Sequence, residues 1–361
     1  MNQRSMFFDC NDNFNKHSQV RSILLRDGKQ KESPLISIVI PTYRKLPMLK
    51  IALSSALRQK GNHSFEVIVV NDDPEDTTVD DFISSINVDH LKYYKNERNL
   101  GLFGNWNRCF TLASGQWVAI LNDDDYLYDF YLEEVERILQ THPAYQALYI
   151  GHDITKIKTP EQAQRIFSGK ERLANQKRRK IRKFKAVLEE GVTLSRLNIW
   201  DHFFLQRYTH PVGALFRKDK ILELGGYQEL FYPSSDWILN AKYTMRYNMY
   251  YLNKALGCRS EGINLSSNQA TKLKFIEMDY LFREALADYK KLPLMHWYSC
   301  CRMHEYAKRM GILHKVKIKP IKARTPGEIE RYDTIRKSYI KIRNSWNYVY
   351  YKIINKEEGC I

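Results

Sequence analysis

Trp117-Val118-Ala119-Ile120-Leu121-Asn122-Asp123-Asp124-Asp125 joins a short apolar run directly to three consecutive acids. The apolar part has strand length, and its sharp polar boundary marks a buried strand ending at that point. Three adjacent carboxylates repel one another, and a hard dication bound through oxygen is the usual compensation. The plain alternative is a solvated acidic loop or a helix N-cap, because aspartate is common before helices.

Working outward, the same strand-then-polar pattern recurs. Ser37-Ile38-Val39-Ile40 is β-rich and ends at Pro41. Pro47 suits the first turn of a helix, and Leu49, Leu53 and Leu57 follow at helical spacing. Glu66-Val67-Ile68-Val69-Val70 is a second strand, stopped by Asn71-Asp72-Asp73-Pro74, and Leu91 to Tyr94 is a weaker third. Asn99-Leu100-Gly101 marks a turn, after which Trp106, Phe110 and Ala113 share one helical face that Gly115 closes. Leu132, Val135 and Leu139 give a further amphipathic helix stopped near Pro143, and Ala147 to Ile150 reads as a fifth strand. Alternation of this kind predicts an α/β fold whose parallel sheet is covered on both faces. Ligands of such sheets bind beyond the carboxyl ends of the strands. Thr42-Tyr43, Asp72-Asp73 and the triple aspartate all fall there, so three polar clusters converge on one rim.

Beyond Gly151 the pattern changes. Gln176 to Lys185 is basic without an acid, and reads either as a solvated insertion or as a surface for anionic lipid or a diphosphate-linked acceptor. Gly225-Gly226 and Pro233-Ser234-Ser235 bracket a loop leading into a helix from about Asp236 to Tyr247. From about Thr271 the chain reads as helical. Near its end Ile335, Tyr339, Ile342, Trp346, Val349 and Ile353 alternate steps of four and three, with Arg336, Lys337, Lys341, Arg343 and Lys352 largely elsewhere. That stripe suits either a membrane interface or packing on the preceding domain.

The chain of 361 residues is long enough for one large domain or two ordinary ones. Its 43% hydrophobic and 13% aromatic content exclude a mainly disordered protein. Met1 to Ser33 is polar, without a signal-peptide core, and no apolar stretch approaches the roughly 18–20 residues that span a bilayer. The six cysteines form no CxxC pair and no zinc-like spacing, which points to reduced thiols and a reducing compartment. A net charge of +16 invites an anionic partner: nucleic acid, a membrane surface or a phosphorylated substrate.

In order and spacing the motifs resemble those of the family 2 nucleotide-sugar glycosyltransferases over about Leu35 to Ser267. Ser37-Ile38-Val39-Ile40-Pro41-Thr42-Tyr43 is similar to that family's opening strand, and Val69-Val70-Asn71-Asp72-Asp73 to its second-strand acidic motif. Asn99-Leu100-Gly101 with Asn107 and Gly115 matches the next signature. Leu121-Asn122-Asp123-Asp124-Asp125 falls at the DxD-type metal motif, and Gly225-Gly226-Tyr227 with Ser235-Asp236-Trp237 at the acceptor-side motif.

The resemblance implies a GT-A fold (Rossmann-like, mostly parallel sheet flanked by helices) with a C-terminal helical extension. It divides the chain into a polar N-terminal extension (1–33), a nucleotide-sugar-binding half (34–150), an acceptor-binding half (151–270) and a helical, basic C-terminal region (271–361). It implies that Pro41, Thr42 and Tyr43 border the nucleotide base, that Asp72 accepts from a uracil-like ring, and that Asn107 and Asp123 lie beside the donor. Asp124 would ligate Mn²⁺ or Mg²⁺, and Asp236 would be the general base of an inverting displacement. Taken as residues alone, Asp72 could equally form a turn before Pro74, Asn107 could be an exposed helix residue, and Asp236 could cap a helix. Asn71 and Asn122 stand where the family usually has aspartates, and Glu261 stands where many relatives have a histidine. Arg259 and Ser266 suit the donor pyrophosphate better. His210, before Pro211, is a candidate for the acceptor side.

The expected activity is sugar transfer from a nucleoside-diphosphate sugar, UDP by preference, to a glycan or lipid-linked acceptor in surface polysaccharide synthesis. The expected location is cytoplasmic, peripheral on the membrane's cytoplasmic face. Two other classes share parts of the pattern. A nucleotidyltransferase also joins an α/β sheet to metal-binding aspartates, but lacks the first-strand and Gly-Gly-Tyr…Ser-Asp motifs. Nucleic-acid binding, or a non-catalytic use of the fold, would suit the charge, but no nucleic-acid module is visible.

Overall fold

In the computed structural model the described residues are 5–29, 32–141, 145–156, 194–205, 210–261 and 268–358, with isolated positions between 159 and 165. The basic run 176–185 and residues 262–267, Ser266 among them, lie outside that set.

Four parallel strands form the centre: β2 (Ile36–Thr42), β3 (Phe65–Asn71), β4 (Leu91–Asn96) and β5 (Trp117–Ile120). Ile36 sits opposite both Phe65 and Trp117, so β2 lies between β3 and β5. Every residue of β2 is buried, the mark of a strand covered on both faces. The two faces separate by residue parity. Ile36, Ile38 and Ile40 pack with Leu49, Leu53, Val79, Ile83, Leu132 and Val135, which come from α1 (Leu46–Leu57), α2 (Thr77–Ser84) and α4 (Tyr131–Thr141). Val39, Ile68 and Val70 pack with Phe103, Trp106 and Phe110 of α3 (Gly101–Leu112), and with Ile221, Leu239 and Tyr243. Those last three belong to α5 (Lys218–Glu223) and α6 (Ser235–Arg246).

The sheet continues through β7 (Ala147–Lys156), whose first residues the sequence shows as a strand, and through others that carry no regular pattern. The order is β1-β4-β3-β2-β5-β9-β7-β10-β6, with β8 also on β10. Here β1 is Ser22–Arg26, β6 Tyr126–Leu127, β7 Ala147–Lys156, β8 Leu194–Arg196, β9 Ala214–Arg217 and β10 Met249–Glu261. Because β9 runs antiparallel to both β5 and β7, and β10 parallel to β7, six strands (β2, β3, β4, β5, β7 and β10) share one direction. The mostly parallel α/β sheet is as expected. The fifth strand is longer than the sequence suggested, and β10 was not anticipated.

The segment before residue 33 is built into the domain. β1 pairs antiparallel with β4 at the sheet edge. Ahead of it Phe7 is buried and stacks on Phe231 at 4.8 Å, with Phe282 at 5.5 Å. Asn13 donates to the Gly225 carbonyl through its backbone N–H (3.1 Å) and its side chain (2.9 Å). Lys16 and His17 pair with Glu229.

The C-terminal region is helical, comprising α7 (Gln269–Lys290), α8 (Pro293–Arg309), α9 (Lys319–Lys322) and α10 (Pro326–Glu358). Phe282, Leu286, Tyr298 and Tyr332 join Phe203, Phe231, Trp237 and Ile238 in one core, where Phe282 of α7 meets Trp237 of α6 edge-on at 4.8 Å. In α10 Arg343 reaches the buried Asp201 at 2.7 Å, Tyr339 donates to the same oxygen at 3.0 Å, and Tyr339 stacks on Phe204. The stripe is therefore divided. Tyr339 faces the protein, while Ile335, Ile342 (58% exposed) and Trp346 (67%) face outward. Among the described residues no helix is long and apolar enough to cross a membrane, and Cys10, Cys109, Cys258, Cys300 and Cys301 are free thiols.

Candidate functional site

The rim is built where β2, β3 and β5 end. Thr42 closes β2, and its hydroxyl donates to Asp123 Oδ2 at 2.9 Å; the Tyr43 N–H points at the same oxygen at 3.4 Å. The next two residues each take an acidic partner. Arg44, held at φ 55° in the left-handed region, donates through Nε to Asp73 at 2.6 Å. Lys45 places its ammonium 2.9 Å from Asp124 Oδ2 and 3.3 Å from Asp123 Oδ1. Burial opposes that charge, but the two carboxylates hold the Lys45 pKa above its ordinary value.

The three adjacent acids part ways. Asp123 and Asp124 face Lys45. Asp125 turns aside, accepting from the Ser260 N–H at 2.9 Å and from Asn122 at 3.0 Å, which ties the β5 loop to β10. Burial and the neighbouring Asp124 push Asp125 up to about 8. Burial likewise raises Asp123, to about 6, against the pull of Lys45.

Asp72, at the end of β3, is buried. Its Oδ1 accepts from Asn96 Nδ2 and the Leu100 N–H, both at 2.8 Å, and its Oδ2 from the Gly101 N–H at 3.0 Å. Gly101 adopts φ +75°, a conformation glycine takes at little cost, and this turns its N–H to the carboxylate. A carboxylate offers about four lone-pair sites. Three are taken, so one acceptor direction on Oδ2 remains. Burial raises its pKa to about 6, which the three donors oppose.

Asn107 is neither exposed nor open. Its amide donates to the Tyr227 carbonyl at 2.7 Å and accepts the Tyr227 N–H at 2.8 Å, clasping α3 to the Gly225-Gly226-Tyr227 turn. Gly226 has φ +71°, and a Cβ there would sit 2.5 Å from Asn107 Oδ1, so the turn and the clasp require glycine. The exposed-helix alternative for Asn107 is thus corrected, and its amide serves the turn that leads to α6.

Asp236 stands in the first turn of α6. The N-cap is Ser234, whose hydroxyl donates to the buried Asp279 at 2.7 Å instead of capping. Asp236, two residues past the N-cap, accepts the N–H of Trp237 on its Oδ1 at 2.7 Å, so it satisfies a donor of the first turn without being the cap residue. Burial, with Asp279 adding repulsion, lifts its pKa to about 7, while Trp237 N–H and Arg259 oppose the shift. Arg259 also lowers Asp125, so a single guanidinium lies within electrostatic reach of the metal-type loop and of Asp236. It donates to His210 at 2.8 Å and pairs with Glu261 at 3.3 Å.

Among the described residues no three His, Cys, Asp or Glu side chains are grouped to hold a metal ion. What the chain offers a dication is two hard carboxylates, and the Lys45 ammonium between them shows that they accommodate a cation. Paired carboxylate oxygens are the donor type that a hard divalent ion takes. Lys45, Arg44 and Asp279 were not anticipated from the sequence. The basic pair directly after Thr42-Tyr43 was the signal for the first two.

Residues 37–193 match the family described as Glycosyl transferase family 2, which bears out the resemblance of the motifs. An uncharacterised glycosyltransferase of Mycoplasma genitalium is 30% identical over 97 residues, 25% of this chain and 32% of the relative. The chain spans about a third to a half of the length of the curated relatives it first matches. A wider match, 22% identical over 303 residues, covers 80% of this chain and 88% of the GalNAc(5)-diNAcBac-PP-undecaprenol beta-1,3-glucosyltransferase of Campylobacter jejuni. Among solved structures, residues 1-349 of S. aureus TarS superpose with a TM-score of 0.52 at 17% identity, covering 90% of this chain and 91% of that one. That likeness concerns the fold, which is GT-A.

Proposed function

We propose that this chain, whose residues 37–193 match glycosyl transferase family 2, moves a sugar from a nucleoside-diphosphate donor to a hydroxyl acceptor with inversion. The observation that carries the reading is Asp236: a partly buried carboxylate, pKa about 7, at a helix start that shares Arg259 with the triple-aspartate loop. A general base works best when its pKa lies near the working pH.

The acceptor oxygen forms its bond to the anomeric carbon as the bond from that carbon to the diphosphate oxygen breaks. The electron pair leaves with the nucleoside diphosphate, and the acceptor proton passes to Asp236. Asp72 keeps one acceptor direction for a base N–H, which suits uracil, and Thr42 and Tyr43 fix Asp123 beside the donor. Asp124, with Asp123, would hold Mn²⁺ or Mg²⁺, which when bound supplies Lewis-acid stabilisation of the departing diphosphate. Arg259 is placed to balance charge between that side and Asp236.

The acceptor in this reading is a lipid-linked glycan of surface polysaccharide synthesis, in keeping with the diphospho-undecaprenol named for the C. jejuni relative. The outward residues Ile342 and Trp346 on the basic helix α10 would then rest on the anionic cytoplasmic face of the membrane. Incubation with a panel of nucleotide sugars and Mn²⁺ tests the function, read as nucleoside diphosphate released. Release of pyrophosphate instead would mark a nucleotidyltransferase, and full activity in both Asp124→Ala and Asp236→Asn would end the assignment.

A further inference from the structure

We propose that Lys45 is a built-in counter-ion that closes the Asp123–Asp124 pair to metal until the donor arrives, whose diphosphate then draws the ammonium away. The inference rests on the reading above and concerns how that site is regulated.

Two features put Lys45 where a metal would bind. Arg44 is fixed in a left-handed backbone conformation and anchored to Asp73, and α1 begins at Leu46 with Pro47 in its first turn, so Lys45 is the single residue between the two constraints. From that position the Lys45 ammonium contacts one oxygen of each carboxylate, at 2.9 and 3.3 Å. Asp125 is turned aside from the pair, one oxygen accepting from the Ser260 N–H and the other from Asn122. A dication approaching the donor-free protein meets a carboxylate pair already neutralised in part, and a like charge at contact distance.

Lys45 is also able to leave. Its side chain is 32% exposed, against 8–9% for the two carboxylates, and it is a point charge on a flexible four-carbon stem. A diphosphate beside the pair would carry negative charge that the ammonium can follow, leaving Asp123 and Asp124 as the residues that would hold a dication. Metal and donor then bind in concert, and the site holds little metal between turnovers.

Calorimetric titration of Mn²⁺ into the donor-free full chain tests this, comparing wild type with Lys45→Met and Lys45→Arg. Removing a like charge in contact with the site should tighten Mn²⁺ binding roughly tenfold to a thousandfold in Lys45→Met, by the same arithmetic that governs pKa values beside a charge. Lys45→Arg should stay within a few-fold of wild type. UDP titrated without metal should bind more weakly to Lys45→Met, so the two affinities move in opposite directions. A purely structural role would not produce that split. Unchanged Mn²⁺ affinity in a folded Lys45→Met, checked by circular dichroism, overturns the inference; Lys45→Gln gives the same reading if the methionine variant does not fold. Loss of transfer in Asp236→Asn with no metal effect in Lys45→Met would sink the counter-ion alone. A metal effect with transfer intact in Asp236→Asn and Asp124→Ala would instead sink the assigned function.

Discussion

Replacing Asp236 with asparagine should slow transfer and stabilise the protein in the same stroke. The carboxyl titrates at about 7 in the fold against an ordinary 3.8, chiefly through burial and then through Asp279. Between those two values the folded chain binds the proton more firmly than the unfolded chain. Stability therefore falls as pH rises through that window, and the loss is complete above about 7. Taken whole, the displacement amounts to about 4 kcal/mol at 1.36 kcal/mol per tenfold change. Asp236 is only partly buried, so solvent screening leaves on the order of 1–3 kcal/mol. Asparagine keeps the shape and the acceptor for the Trp237 N–H, and removes the charge. Chemical denaturation at pH 8 should show the variant more stable than wild type by that amount, with the gap closing at pH 5. Turnover should drop about 10²- to 10⁴-fold, and wild-type activity should climb with pH to a plateau above about 7. Equal stability differences at pH 5 and 8, or undiminished turnover, would refute the reasoning.

Four further outcomes are expected. Asp124→Ala should remove the Mn²⁺-stimulated part of turnover, a loss of roughly 10²–10³-fold in a metal titration of activity. Glu66→Ala should cost about 3–5 kcal/mol in urea unfolding, because Lys92, Ser37 and Ser114 lose a fully buried partner. Burial alone would raise the Glu66 pKa, but Lys92 and the two serines hold it low, so its contribution is present above pH about 4.5 and fades on acidification. Arg343→Met should destabilise by a similar amount, leaving Asp201 buried with one cation fewer, and should loosen α10 to protease. Trp346→Ser with Ile342→Ser should leave unfolding within about 0.5 kcal/mol of wild type while weakening sedimentation with anionic vesicles; unchanged sedimentation would detach α10 from the membrane.

Strands buried on both faces were legible because they read as unbroken apolar runs, as Val67 to Val70 and Trp117 to Ile120 do. β10 was not, because Gly257 and two register shifts between Leu252 and Cys258 break any alternation. β9 has four residues and runs against its neighbours, so no repeating unit announces it. The edge strand β1 holds Ile23, Leu24 and Leu25 largely exposed, and its polar flanks mask it. In the site, the aspartates were visible as a strand end. The partners that give them their states were not, because they depend on folding at long range. Ser260 meets Asp125 across 135 positions, and Tyr227 meets Asn107 across 120. Lys45 was hidden for another reason: only the left-handed turn at Arg44 aims it at the acids.

The packing of Phe7 against Phe231 and Phe282 also sets a schedule for synthesis. β1 can find its neighbour once β4, ending at Asn96, has been made. Phe7 must wait for α7, 275 positions later by the difference between residues 282 and 7. At roughly 5–20 residues per second that delay is about 15–55 s, during which a buried aromatic anchor stays exposed on the nascent chain. The stretch that leaves the ribosome early is thus among the last to be locked in place, and it is where a holding chaperone would have the longest opportunity to bind.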